Sequence, residues 1–432
     1  MTKIYLGMTV DIFHHGHINI IERAREYGEL IIGLLTDEAL ADYKRLPYLK
    51  FEYRKRILEN IVGVSRVVIQ NEWDYAPNIR KYRPDFMIHG DDWLDGPLAP
   101  YRDKALEALA EYGGKLIEIP YTKDVSSSSL VEKILSFGTT PEIRKGTLKR
   151  LLRSKPITRF LEAHSPISAL IVENANREVD GKLKQFDGFW SSSLTDSTEM
   201  GKPDIEALDI SSRLSNINNI FEVTTKPLIM DLDTGGKPEH FEINVRTIER
   251  LGISSVIIED KTGLKKNSLF GTEVSQTQEE IGRFCEKIRA GRESRISSDF
   301  MVIARIESLI LDKGMRDAVL RAQAYVEAGV DGIMIHSRRK DPSEVYEFAR
   351  IFRGDFPHIP LVSVPTSYNA ATEEELSARG FNIVIYANHL MRAAYPAMKW
   401  VADEILRNGR TAEVDDRLIS INEILELIPG TK

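Results

Sequence analysis

Eight short apolar runs in the last two thirds of the chain constrain its fold more than any other feature. They are SALIVE (168–173), DGFWSS (187–192), LIMDLD (228–233), SVIIED (255–260), MVIARIE (301–307), GIMIHS (332–337), PLVSVP (360–365) and NIVIYAN (382–388). Helical patterns such as DAVLRAQAYVEA (317–328) separate several of them. Parallel strands can neighbour one another only through long crossover connections, so eight strand-helix units predict a closed (β/α)8 barrel. Almost every run ends in polar residues, among them Asp231, Asp233, Glu259, Arg305, His336 and Asn388. The C-terminal strand ends are where such a barrel carries its chemistry.

Asp231 and Asp233 are alternate residues of an extended run and so point to the same side. Together with Glu259 they form a cluster of carboxylates that would repel one another without a cation. Hard oxygen ligands with no His or Cys among them suit Mg²⁺. Glu259 also opens the stretch EDKTGLKKNS (259–268), in which a glycine and two lysines follow a strand end. This combination suits a mobile cationic loop over an anion.

The first 138 residues read differently. KIYLGMTV, ELIIGLLTD, SRVVIQN, DFMIHGDD and KLIEIPYT alternate with amphipathic stretches, the pattern of a Rossmann-like, doubly wound parallel sheet with five strands. GMTVDIFHHGHINIIERA leads from a strand through a tight loop into a helix. Backbone N–H groups and the imidazoles of His14 and His17 at a helix N-terminus suit an anion. Between the blocks, FGTTPEIRKGTLKRLLRS opens with Gly, Thr and Pro, then turns basic. The domains are therefore expected at 1–138 and 153–432, joined by a linker at 139–152.

A chain of 432 residues with a net charge of −7 has no general affinity for nucleic acid, so any anion site must be local. No membrane partner is expected, since no apolar run reaches about 18 residues. One cysteine, Cys285, excludes a disulfide framework. It lies in the helical stretch EEIGRFCEKIRA and reads as a structural thiol. A cytoplasmic enzyme is the expectation.

EDKTGLKKNS, ARIES, DGIMIHSRRKDP, VPTSYN and YANHLMRA occur in the order found in phosphoenolpyruvate mutase, which the second block resembles from about residue 150 to 425. This family belongs to the isocitrate lyase and phosphoenolpyruvate mutase superfamily. The resemblance implies metal binding by Asp231, with Asp233, Glu259 and Asp196 acting mainly through water. It also implies contacts with phosphoenolpyruvate or phosphonopyruvate from Trp190, Ser192, Leu194, Lys265, Asn267, Ser268, Arg305 and His336. The lyase loop K-K-C-G-H is absent. Phosphonopyruvate hydrolase shares most of the scaffold and stays open as an alternative, with Asn267 in the loop favouring the mutase.

The first block resembles the nucleotidyltransferase superfamily, most closely cytidylyltransferases. His14 and His17 match its H-x-G-H pair. The resemblance extends to Lys44, to Arg54 in FEYRKRIL, to Asp92 and Trp93 in HGDDW, and to Ser126, Ser127 and Ser128 in VSSSSL. It implies CMP transfer from CTP to a small phosphonate, such as 2-hydroxyethylphosphonate or 2-aminoethylphosphonate. Tyr121 and Asp124 stand where the second signature has Arg and Gly, so a non-catalytic, nucleotide-binding or oligomerising domain is the alternative. A similar fusion begins the fosfomycin pathway. The family further implies a homo-oligomer, tetramer or dimer, and a separate phosphonopyruvate decarboxylase.

Overall fold

The computed structural model describes residues 2–43, 45–94, 98–120, 138–179 and 182–428. Its first layer is a five-stranded parallel sheet of β1 (Lys3–Met8), β2 (Glu29–Leu35), β3 (Val64–Gln70), β4 (Phe86–Gly90) and β5 (Lys115–Ile119), in the order β3-β2-β1-β4-β5. The five apolar runs of the first block correspond to these strands. Alternate residues serve opposite faces: Ile4, Leu6 and Met8 enter one core with Ile21 and Leu58, while Tyr5, Ile31 and Met87 enter another with Ile79 and Leu109. A sheet covered on both faces needs apolar residues at every position, which explains runs such as ELIIGLL.

The second half closes into the barrel. Its strands are β6 (Thr158–Glu162), β9 (Gly188–Ser191), β10 (Leu228–Asp231), β11 (Ser255–Glu259), β14 (Met301–Ile306), β15 (Gly332–Ile335), β16 (Leu361–Ser363) and β17 (Ile383–Tyr386). β17 pairs with β6 to complete the ring. Two hairpins stand outside it, β7 (Asn176–Val179) with β8 (Lys182–Gln185), and β12 (Lys261–Thr262) with β13 (Thr277–Gln278).

One expected barrel strand is corrected. SALIVE lies in a helix, Pro166–Asn174, and the first barrel strand is the preceding TRFLE. Ser165 caps that helix in a reciprocal capping box with Ser168, and Pro166 occupies its first turn. The helix buries Ser168, Ala169 and Val172 but exposes Ile167 and Ile171. Hydrophobicity did not separate this short apolar helix from a strand; its start signals did.

Residues 141–154, most of the stretch expected as a linker, form a helix that belongs physically to the barrel. Leu148 joins the barrel's interior cluster with Phe160, Ile229, Ile257 and Ile303. Arg144 is buried and donates to the carbonyls of Phe221, Thr224 and Lys226. The helix His389–Asn408 is the opposite case, burying Met391 while leaving Tyr395, Met398 and Leu406 exposed. Among the described residues no helix is long and apolar enough to cross a membrane.

Candidate active sites

The two-residue period of the barrel strands sorts their side chains. Ile229, Ile257, Met301 with Ile303, and Met334 fill the barrel interior, whereas Met230, Val256 with Ile258, Val302 with Ala304, and Ile333 with Ile335 face the surrounding helices. Continuing the inward series one step past each apolar residue reaches Asp231, Glu259, Arg305 and His336. All four line one cavity at the C-terminal strand ends, together with Trp190, Ser192, Ser193, Leu194, Asp204, Lys265, Asn267 and Ser268.

Charge in this cavity is heavily paired. Arg305 donates from Nε to Glu307 (2.6 Å) and from Nη2 to Ser268 Oγ (2.6 Å), and its Nη2 lies 3.4 Å from Glu259. Nη2 also lies 3.1 Å from His336 Nδ1. A guanidinium can only donate, so Nδ1 accepts and a neutral His336 carries its proton on Nε2. Burial and the adjacent Arg305 push His336 down, which favours that neutral form. Burial opposes the charge on Glu307, but Arg305 and then Lys261 outweigh it and hold that carboxyl well below its usual range.

The EDKTGLKKNS loop folds over the cavity, with Gly263 at φ 81°, a left-handed conformation in which glycine carries no steric penalty. Lys265 Nζ donates to Ser193 Oγ (2.7 Å), Asp204 (2.6 Å) and Asp233. Asn267 Nδ2 donates to the other oxygen of Asp204 (2.8 Å). One carboxylate thus holds two loop residues. Ser268, expected as a substrate contact, donates its hydroxyl proton to Glu307 and accepts from Lys261 and Arg305.

Asp196 is tied into a buried polar network. Its Oδ2 accepts from Ser191 Oγ (2.7 Å) and the buried Arg213 (2.9 Å), behind the cavity wall, and it is not a lining residue. Asp204 lines the cavity instead. It sits in GKPDIEALD, a loop with no periodicity, so only chain closure reveals it. Ser193, Lys261, Arg213 and Glu307 were also missed; Glu307 follows Arg305 at the inward spacing, a signal that could have found it.

Among the described residues, no three His, Cys, Asp or Glu side chains are grouped as a metal cage. The donors nevertheless fit a hard cation held through few protein ligands and water. Glu259 Oε1 is buried without a hydrogen bond, its ion-pair partner Lys261 lying 3.2 Å away. Burial, only partly offset by Arg305 and Lys261, pushes Glu259 up to about 7. Burial also raises Asp233 despite Lys265, whereas for Asp231 the opposing effects of Lys265, Arg305 and Arg213 prevail and lower it. Asp233 adopts φ 54°, uncommon outside glycine and frequent at functional sites.

In the front domain, His14 caps helix α1 (His15–Arg25). Its Nδ1 accepts from Gly16 N (3.1 Å), and His17 Nδ1 accepts from His14 N (3.2 Å). A capping box built from imidazoles leaves each neutral ring protonated on Nε2. The rings lie 3.9 Å apart. Burial, then the neighbouring His14, pushes His17 down to about 4; burial and His15 lower His14. Two neutral donors thus stand at the positive end of α1.

Arg54, one of the residues the family resemblance picks out, braces the surrounding backbone in this structure. It is fully buried and donates to Leu49 O (3.2 Å), Thr9 O (2.5 Å) and Asp37 (2.7 Å). Trp93 is buried too, stacked on His89 at 3.7 Å and donating to Glu118 (2.8 Å). The backbone of Asp92 lies in the short 3₁₀ turn Asp91–Trp93. Lys44, Ser126, Ser127 and Ser128 lie outside the described residues. Cys285 is buried, as expected of a structural thiol.

Comparison with known proteins adds an independent line. A sequence model of the family described as phosphoenolpyruvate phosphomutase matches residues 148–406, and one described as cytidylyltransferase-like matches residues 5–133. Phosphonopyruvate hydrolase of Variovorax sp. (strain Pal2) is 39% identical over 282 residues, covering 65% of this chain and 93% of that protein. The crystal structure of phosphoenolpyruvate phosphomutase from Streptomyces platensis subsp. rosaceus superposes with a TM-score of 0.60 at 34% identity, covering 66% of this chain and 94% of that one. A phosphonopyruvate hydrolase solved with oxalate and Mg²⁺ gives 0.58 at 37% identity, with the same coverage. The chain therefore belongs to the phosphoenolpyruvate phosphomutase family and carries a cytidylyltransferase-like domain ahead of the barrel.

Proposed function

We propose that the barrel interconverts phosphoenolpyruvate and phosphonopyruvate, and that the front domain transfers CMP from CTP to a small phosphonate. The observation that supports the barrel reading is the convergence of Arg305, His336, Lys265 and Asn267 on one cavity beside Asp231 and Glu259. Asp231 and Glu259 would hold Mg²⁺ with water, Asp233 acting from behind Lys265. The bound ion supplies positive charge that neutralises the substrate carboxylate.

The chain's own residues do the rest. Arg305 Nη1 has no protein partner among the described residues and is the donor suited to a phosphoryl oxygen. The phosphorus–oxygen bond breaks, its electron pair passing to the enol oxygen; C3 then bonds to phosphorus as the C2 carbonyl forms. No proton is gained or lost. A loose transfer of this kind needs positioning and charge stabilisation more than a nucleophile. The Nε2–H of His336 and the amide of Asn267 steady the migrating group. The loop held by Asp204 excludes water, which would otherwise capture the phosphoryl group.

Hydrolysis of phosphonopyruvate is the second reading, favoured by the 39% identity to the Variovorax enzyme. ³¹P NMR of the full-length protein with phosphonopyruvate and Mg²⁺ separates them: phosphoenolpyruvate is expected, whereas inorganic phosphate with pyruvate would establish the hydrolase. In the front domain, a phosphonate oxygen attacks the α-phosphorus of CTP and pyrophosphate leaves, while His14 and His17 donate to phosphate oxygens. Pyrophosphate release with CTP and 2-hydroxyethylphosphonate or 2-aminoethylphosphonate tests this; CTP binding without release would indicate the non-catalytic domain. The apolar row of helix His389–Asn408 supports a homo-oligomer, which sedimentation would detect. A separate decarboxylase would consume phosphonopyruvate in the cytoplasm.

A further inference from the structure

The helix Pro141–Ser154 has two working faces. One inserts Leu148 into the barrel interior and anchors Arg144 on three carbonyls. The other carries Arg150 into the front domain. Its Nη2 donates to Pro47 O at 2.7 Å and lies 3.7 Å from Asp37, and its Nη1 reaches Tyr48 O at 3.4 Å; Nε is buried without a partner. Among the described residues, all of its polar engagement is with the front domain.

Those contacts lead directly to the histidine loop. Asp37 also receives Arg54, which holds Thr9 O and Leu49 O. Tyr48 N (2.5 Å) and Leu49 N (3.3 Å) donate to Asp11, which also pairs with Arg45 at 2.7 Å. Asp11 lies in the same loop as His14. Beside it, Val10 has φ 49°, a conformation that a β-branched residue keeps only where its surroundings enforce it. The segment Pro47–Leu49 is therefore a clamp on the strained loop, and Arg150 holds that clamp from outside the domain.

We propose that Arg150, borne by the helix that enters the barrel, is a positioning residue of the nucleotide site. The inference rests on the reading of the front domain as a nucleotidyltransferase. The assignment explains why a guanidinium reaches two consecutive carbonyls and a carboxylate across the boundary, where an exposed lysine would serve solubility equally well.

The test uses full-length R150M and R150K beside the parent protein. Pyrophosphate release from CTP with 2-hydroxyethylphosphonate and 2-aminoethylphosphonate, barrel turnover in the same sample, and hydrogen exchange of the Tyr48 and Leu49 amides are measured together. R150M is expected to raise the KM for CTP on the order of tenfold, with faster exchange at both amides and unchanged barrel turnover; losing one charge-assisted hydrogen bond is worth about that factor. R150K, which keeps the charge but loses the planar fork that reaches two carbonyls, should lie between. A parental KM with parental exchange overturns the proposal, and so does an equal fall in both activities, which would mark general destabilisation. Should the parent release no pyrophosphate, the transferase reading falls, and exchange alone decides: unchanged protection in R150M overturns the role of Arg150.

Discussion

On the proposed reading, the barrel cavity and the histidine loop would bind a phosphorylated anion by different physical means. In the barrel, charged groups converge: Arg305 and Lys265 stand among buried Asp231, Glu259 and Glu307 and half-buried Asp204 and Asp233. In the front domain the two groups at the helix terminus are neutral imidazoles, and the neighbouring guanidinium of Arg54 is engaged in holding the backbone. The first arrangement depends on charge balance within a rigid strand framework. The second depends on the backbone shape of a loop. Removing a charge should therefore damage the barrel most, and loosening a brace should damage the front domain most.

The largest effect is expected from D231A, which should lower barrel turnover roughly 10³-fold, measured by ³¹P NMR, and leave pyrophosphate release unchanged. A variant that interconverts the isomers at the parental rate would break the charge-balance half of the comparison. H17A should lower nucleotidyl transfer about 10²-fold without touching the barrel, as expected for loss of one preorganised donor. Its failure to do so would favour the non-catalytic front domain. R54M should destabilise the front domain by about 2–3 kcal/mol in urea unfolding, since it strands two carbonyls and removes a partner of Asp37. The barrel transition should stay in place.

D204N should cost about tenfold in barrel turnover, because a neutral amide holds Lys265 less well while keeping its size. If the loop excludes water, this variant should also release detectable inorganic phosphate from phosphonopyruvate. The smallest expected effect is on pH dependence. His17 titrates near 4 in the folded protein, below its ordinary 6.5, so the unfolded chain binds more protons between those values. Its contribution to stability is fully present above 6.5 and is lost as the pH falls through about 4. Urea midpoints of the front domain at pH 4.5, 5.5 and 6.5 should rise with pH, and H17Q should flatten that slope.

Much of this was legible in the sequence, and the reasons are instructive. All five front strands were read from their apolar runs, most plainly the inner strand β2, which is buried at nearly every position, whereas the edge strand β3 exposes Ser65, Arg66 and Ile69. Seven of the eight expected barrel runs contain strands, while SALIVE was misread because a short buried helix and a short strand carry similar hydrophobicity. Asp231, Glu259, Arg305 and His336 were found as the polar ends of apolar runs, and in the fold each lies two residues beyond an inward-facing apolar side chain. Asp204 was not, since a loop residue reaches a site only through the path of the whole chain.

Local sequence determined which elements form and which strand residues share the barrel axis, for those depend on neighbours within a few positions. The folded structure decided which charges meet: that Asp204 rather than Asp196 faces the cavity, that Arg54 turns inward as a brace, and that Arg150 crosses from one half to the other. Such pairings join residues tens to hundreds of positions apart, and no local periodicity encodes a distance that only packing can set.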